Sequence, residues 1–178
     1  MVVPAILLLL MLLVAPFGYI IVASFIEKGS QGFSFGNYAW LSSPLFLPSF
    51  RNSLVIGIGS VLLEIIIAVP LAILLNQKMY LRGLWRALIT LPWAVPTIAV
   101  AGAFLWLCNP HYGIFNQVGL EIGLLKEPLG FFGDPDLALL SVVVAHAWKG
   151  LPLVFIIVFA SLQSLPDCLL YTSPSPRD

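Results

Sequence analysis

Four long stretches of this chain carry almost no charge, and shorter polar, aromatic or basic segments separate them. An apolar helix of about 20 residues crosses a hydrocarbon core of about 30 Å, so the pattern predicts four spans, over residues 2–25, 53–75, 87–107 and 137–162. Pro4 and Pro16 in the first are tolerable in a membrane helix. A secretory signal peptide is the competing reading there, but its apolar region would be too long, no basic segment precedes it and no Ala-x-Ala site follows. In the second span Gly57 and Gly59 offer a thin face for a neighbouring helix. Pro92 and Pro96 open the third; spaced by four, they remove two backbone donors on one side and predict a kink, as does Pro152 in the fourth.

The connectors carry their own signals. Phe33, Phe35, Tyr38 and Trp40 in residues 27–50 suit an interfacial aromatic belt. In residues 109–135, Ile114, Phe115, Val118, Leu120, Ile122 and Leu125 are spaced as a short amphipathic helix lying on the membrane surface. Asp134-Pro135-Asp136 then starts the fourth span, since an Asp side chain can accept from free N–H groups at a helix N-terminus. The fold class is all-α, a polytopic transmembrane helical bundle.

Composition agrees. The chain is 60% hydrophobic and 9% charged, against roughly 45–50% and 25% in soluble domains. A formal net charge of zero leaves no footprint for nucleic acid. Cys108 and Cys168 lie far apart, which argues against a disulfide framework or a metal cluster. Charge also orients the chain. Lys78, Arg82 and Arg86 crowd the loop between spans two and three with no acid among them, which marks it as cytoplasmic. The connector with Glu121, Lys126, Glu127 and Asp134 then lies outside, and both chain ends lie inside.

Glu64 and Lys149 fall at similar depth in spans two and four, about 18 Å below the outer ends at 1.5 Å per residue. A lone charge at mid-membrane costs about 3 to more than 10 kcal/mol, so such groups face the bundle interior and find partners. The expected arrangement is a Glu64–Lys149 contact; the alternative is that water or backbone satisfies each separately. His146 precedes Lys149 by three residues and shares its helix face. A relay through His146, Lys149 and Glu64 would make a proton-coupled secondary transporter, the alternative to a passive solute path. Zinc is poorly supported, because no His or Cys stands three or four residues from His146. The chain has no phosphate-binding Gly-rich loop, Gly-x-Ser-x-Gly elbow or His-Glu-x-x-His, so neither catalysis nor a cofactor is indicated.

Several short pieces recur in order: Phe35-Gly36-Asn37-Tyr38, Arg51-Asn52-Ser53-Leu54, Pro70 to Asn76, Arg82-Gly83 with Arg86, Leu91-Pro92-Trp93 with Pro96, Asn109-Pro110 with Gly113 and Asn116, Trp148-Lys149-Gly150-Leu151-Pro152, and Leu162 to Pro166. Together they resemble the inner-membrane permease subunits of binding-protein-dependent ABC importers of the maltose and glycerol-phosphate type. That resemblance implies carbohydrate transport across the inner membrane, a second permease subunit, a pair of cytoplasmic ATPases, an external solute-binding protein and surrounding lipid. It makes Glu64, Trp106, His146, Trp148 and Lys149 candidates for lining or supporting the solute path by hydrogen bonding and stacking. In the family, Leu-Gln-Ser-Leu-Pro leads into a cytoplasmic Glu-Ala-Ala segment that docks on the ATPase, followed by two more spans. Here that continuation is missing, so residues 1–167 read as a partial permease domain with about four of six spans, inactive alone. Residues 168–178 match, residue for residue, the translation of a transposase-based sequencing adaptor, and read as foreign to the fold.

Overall fold

A computed structural model of the chain describes residues 3–27 and 32–164. The adaptor-like tail and the Leu165-Pro166 step lie outside the described residues. The chain is helical: α1 (Val3–Ser24), a 3-10 helix (Gly36–Ser42), α2 (Phe46–Asn76), α3 (Arg82–Ala94), α4 (Thr97–Leu107), α5 (Ile114–Glu121) and α6 (Pro135–Ser164). Among the described residues α1, α2 and α6 are each long and apolar enough to cross a membrane, and α3 with α4 forms a bent pair that passes the same test together.

The chain divides into two compact units, Met1–Arg51 and Asn52–Asp178. In the first, α1 is apolar and exposed on every face, the condition of a helix meant for lipid or for other helices. One side chain from beyond the helix serves its last carbonyl and one just past it: Asn37 Nδ2 donates to the carbonyls of Ser24 and Ile26 at 3.0 and 3.1 Å. Ser24 Oγ and Tyr38 Oη are 2.7 Å apart. Phe25 packs against Phe35 and Tyr38, both at 5.5 Å between ring centroids. The Phe35 to Tyr38 piece is therefore the C-terminal lock of α1.

The second unit is organised by α2 and α6. On α2 the buried residues are Ser60, Glu64, Ala68, Ala72 and Leu75, spaced by four and three along one face. Ser60 Oγ donates to the Val143 carbonyl at 3.3 Å, the Glu64 carboxylate lies against Gly150, and Ala68, Ala72 and Leu75 form a core with Phe155 and Phe159. Residue numbers rise together along both helices, so α2 and α6 run parallel. Ala68 and Ala72 are fully buried in this core, small residues beside the Phe155 and Phe159 rings.

Two parallel helices of one chain require the segment between them to return to the side where α2 began. Helix α3 starts that return, antiparallel to α6: Arg82 and Arg86 lie over the Phe159 ring, and the α3 C-terminus reaches Lys149. The sequence suggests a single third span over 87–107 with a kink, but the structure holds two helices meeting at 99°. Pro96 has no N–H for the Pro92 carbonyl, and its ring holds the preceding Val95 in an extended conformation, φ −78° and ψ 130°. The bend falls at Val95–Pro96, while Pro92 and Pro152 lie inside α3 and α6, which continue through them. At the start of α6, Pro135 takes the first helical position and Asp134 Oδ1 accepts the Asp136 N–H at 2.9 Å.

Candidate functional site

The break between α3 and α4 leaves main-chain carbonyls without helical partners, and an unmade backbone group in hydrocarbon costs several kcal/mol. Lys149 fills the vacancy. Its Nζ donates to the carbonyls of Pro92 at 3.0 Å, Trp93 at 2.9 Å and Val95 at 2.5 Å. An ammonium has three N–H donors, and all three are used.

The expected Glu64–Lys149 contact is therefore replaced by two separate solutions: among the described residues no ion pair or hydrogen bond joins them. The physical reason is that the bend supplies three oxygens within reach of Lys149, which one carboxylate could not match in number. Glu64 is 6% exposed. Its carboxylate occupies the space a Cβ at Gly150 would need, so the glycine is what admits a Glu side chain between the two helices.

Each residue of Trp148-Lys149-Gly150-Leu151-Pro152 has its own place in the packing. Trp148 packs edge to face on Phe104 of α4, centroids 5.7 Å apart. Lys149 holds the bend, Gly150 admits Glu64, Leu151 packs against the α2–α6 core, and Pro152 is fully buried. One turn of α6 thus fixes three other helices.

Trp148 is 41% exposed despite its contact with Phe104, and Trp106 is 59% exposed and packs with Tyr112 at 6.1 Å. His146 is exposed on α6. With all three Lys149 donors directed at carbonyls, the relay through His146, Lys149 and Glu64 is not assembled. In the basic loop Lys78 is exposed, while the Arg82 and Arg86 guanidinium carbons sit 5.4 and 4.1 Å from the centroid of the same Phe159 ring. Among the described residues no three His, Cys, Asp or Glu side chains come together to hold a metal.

The piece Asn109-Pro110 with Gly113 and Asn116 forms a second polar knot, whose bonding and partner Leu129 the sequence did not disclose. Asn116 of α5 is 1% exposed. Its amide donates to the carbonyls of Asn109 at 3.2 Å and Leu129 at 3.0 Å, and its oxygen accepts the Leu129 N–H at 2.7 Å. Asn109 Oδ1 in turn accepts the His111 N–H at 2.9 Å, and a Cβ at Gly113 would collide with the Asn109 backbone. Asn109, Gly113 and Asn116 are thus one knot that fixes the α4–α6 connector. Beside it is an apolar cavity of about 190 Å³, lined by Leu105, Cys108, Asn109, Pro110, Phe131 and Phe132 among others. Ser60, Gly150 and the Val95 carbonyl were also missed. The available signals were a Ser one turn before Glu64 and a Gly directly after Lys149.

No family profile matches the chain. It is 36% identical over 110 residues to the trehalose/maltose transport system permease protein MalF of Thermococcus litoralis, covering 62% of this chain and 37% of that protein. It is 30% identical over 127 residues to the xylose/arabinose import permease protein XacH of Haloferax volcanii, covering 71% of this chain and 39% of that one. In fold it is similar to a chain of a bacterial alginate ABC transporter solved in complex with an alginate pentasaccharide-bound periplasmic protein. The TM-score is 0.72 and the identity 21%, over 95% of this chain and 57% of that chain. The chain thus spans well under half the length of the two permeases.

Proposed function

We propose, from homologues that are permease proteins of sugar transporters, that this chain supplies transmembrane helices of an ABC importer moving a sugar or related carbohydrate across the inner membrane. It is a path-forming subunit rather than an enzyme. A second permease forms the other wall, a cytoplasmic ATPase pair supplies the power stroke, and an external binding protein delivers the solute.

The observation that carries the reading is the identity with the trehalose/maltose permease. The geometry supports it in two respects. Lys149 spends its three donors on backbone oxygens and Glu64 is buried against Gly150, so the candidates left with open faces are Trp106, His146 and Trp148. Aromatic faces with polar edges suit a neutral polyhydroxylated solute better than an ion. The parallel pair α2 and α6 also fits a bundle in which both helices run from outside to inside, with the Lys78, Arg82 and Arg86 loop on the cytoplasmic side.

The test is uptake by the full-length permease reconstituted with its partner permease, ATPases and binding protein. Labelled trehalose, maltose, xylose and arabinose are offered with and without ATP. Uptake that needs ATP and survives a protonophore is expected. Uptake that collapses with the protonophore while ATP is held constant would overturn the proposal.

A further inference from the structure

Three main-chain carbonyls converging on one ammonium have the donor chemistry of a monovalent-cation site. Unwound carbonyls and half-helix C-terminal ends coordinate Na⁺ in broken transporter helices, and rings of carbonyls replace the water shell of K⁺ in channels. At the α3–α4 bend the oxygens are those of Pro92, Trp93 and Val95, at 3.0, 2.9 and 2.5 Å from Lys149 Nζ. The end of α3 adds the negative pole of its helix dipole, equivalent to about half an elementary charge. No Asp or Glu occurs between Glu64 and Glu121, and Glu64 is turned to Gly150, so the site attracts a cation through carbonyl dipoles alone.

We propose that this bend is a monovalent-cation site occupied by the chain's own ammonium. Lys149 is a positioning residue, a tethered cation that fixes the angle between α3 and α4 and makes the broken span independent of free ions. The ammonium arrives from α6 while its acceptors come from α3 and the α3–α4 link, so truncating the side chain removes the charge without removing any oxygen. What remains is an oxygen-lined gap open to a small cation. An ordinary capping lysine would behave differently, since its loss would be insensitive to which salt is present.

The experiment uses the full-length permease assembled with its partner subunits, and its readout is thermal unfolding, which does not depend on the identity of the transported solute. Wild type, Lys149→Ala and Lys149→Met are compared at equal ionic strength in choline, sodium, potassium and methylammonium chloride. Wild type is expected to unfold at one temperature in all four salts. Lys149→Ala is expected to unfold several degrees lower in choline and to recover saturably in methylammonium or potassium. Lys149→Met fills the stem volume with an apolar end and is expected to stay low throughout. If Lys149→Ala fails to assemble in choline, preparation in methylammonium must recover it. Equal instability of Lys149→Ala in every salt, failure to assemble even with methylammonium, or wild-type stability in choline would each overturn the proposal.

Discussion

The carboxylate of Glu64 occupies the place of the side chain that Gly150 lacks. The two residues are complementary in volume, the end of the Glu64 side chain filling the space beside Gly150. Gly150→Ala is expected to destabilise the assembled permease by about 1–3 kcal/mol, the usual range for overpacking. Combining it with Glu64→Ala should recover part of that loss. Thermal unfolding of the two single variants and the double variant measures the coupling; additive losses would show that the contact is not the cause.

Pro96 withholds the N–H that an unbroken helix would return to the Pro92 carbonyl. Pro96→Ala supplies it, so the 99° angle should open and Lys149 should lose acceptors. Spin labels on the exposed positions Leu88 and Leu105 are expected to move apart in the variant, read by pulsed electron paramagnetic resonance. An unchanged distance would mean that the α6 contacts, rather than the proline, hold the bend.

Asn116→Ala leaves the Leu129 N–H and the Leu129 carbonyl without the amide that serves both. Leu129 is half-buried, so each orphan costs at most the roughly 1–3 kcal/mol of a buried one, enough to loosen the connector while the long helices stay intact. Hydrogen exchange should accelerate across residues 122–133 and stay unchanged in the α2–α6 core. Asn116→Asp should behave similarly, because a carboxylate cannot donate to the two carbonyls.

Arg82 and Arg86 share one aromatic ring, that of Phe159, and the Nε atom of each is buried without a hydrogen-bond partner. Phe159→Leu keeps most of the apolar volume and removes the π face, so both cation–π contacts disappear, each worth about 0.5–2 kcal/mol. Limited proteolysis is expected to cut faster between α2 and α3 in this variant. Arg86→Leu, which removes the closer charge and the like-charge neighbour together, should be milder.

Helix positions set by long apolar runs were readable from the chain. The apolar runs predicted α1, α2 and α6, the depth argument singled out Glu64 and Lys149, and Asp134-Pro135 marked the start of α6. What could not be read was the identity of the partners. The acceptors of Lys149 are backbone oxygens, which every residue possesses and only a bend releases. The neighbour of Glu64 is a missing side chain. Asn116 stood out only as part of the piece it makes with Asn109 and Gly113, and nothing in its own neighbourhood announces Leu129. Two charges at equal depth invited an ion pair, yet the two prolines beside them had already provided a better ligand set for the lysine.

The parallel pairing of α2 with α6 also has a consequence in time. Ser60 and its acceptor Val143 are separated by 83 positions, and a ribosome adds about 5–20 residues per second. Helix α2 must therefore wait roughly 4–16 s in the bilayer, with a carboxylate and a hydroxyl still uncovered, before its partner is synthesised. For those seconds Glu64 lacks the Gly150 neighbour it has in the folded chain.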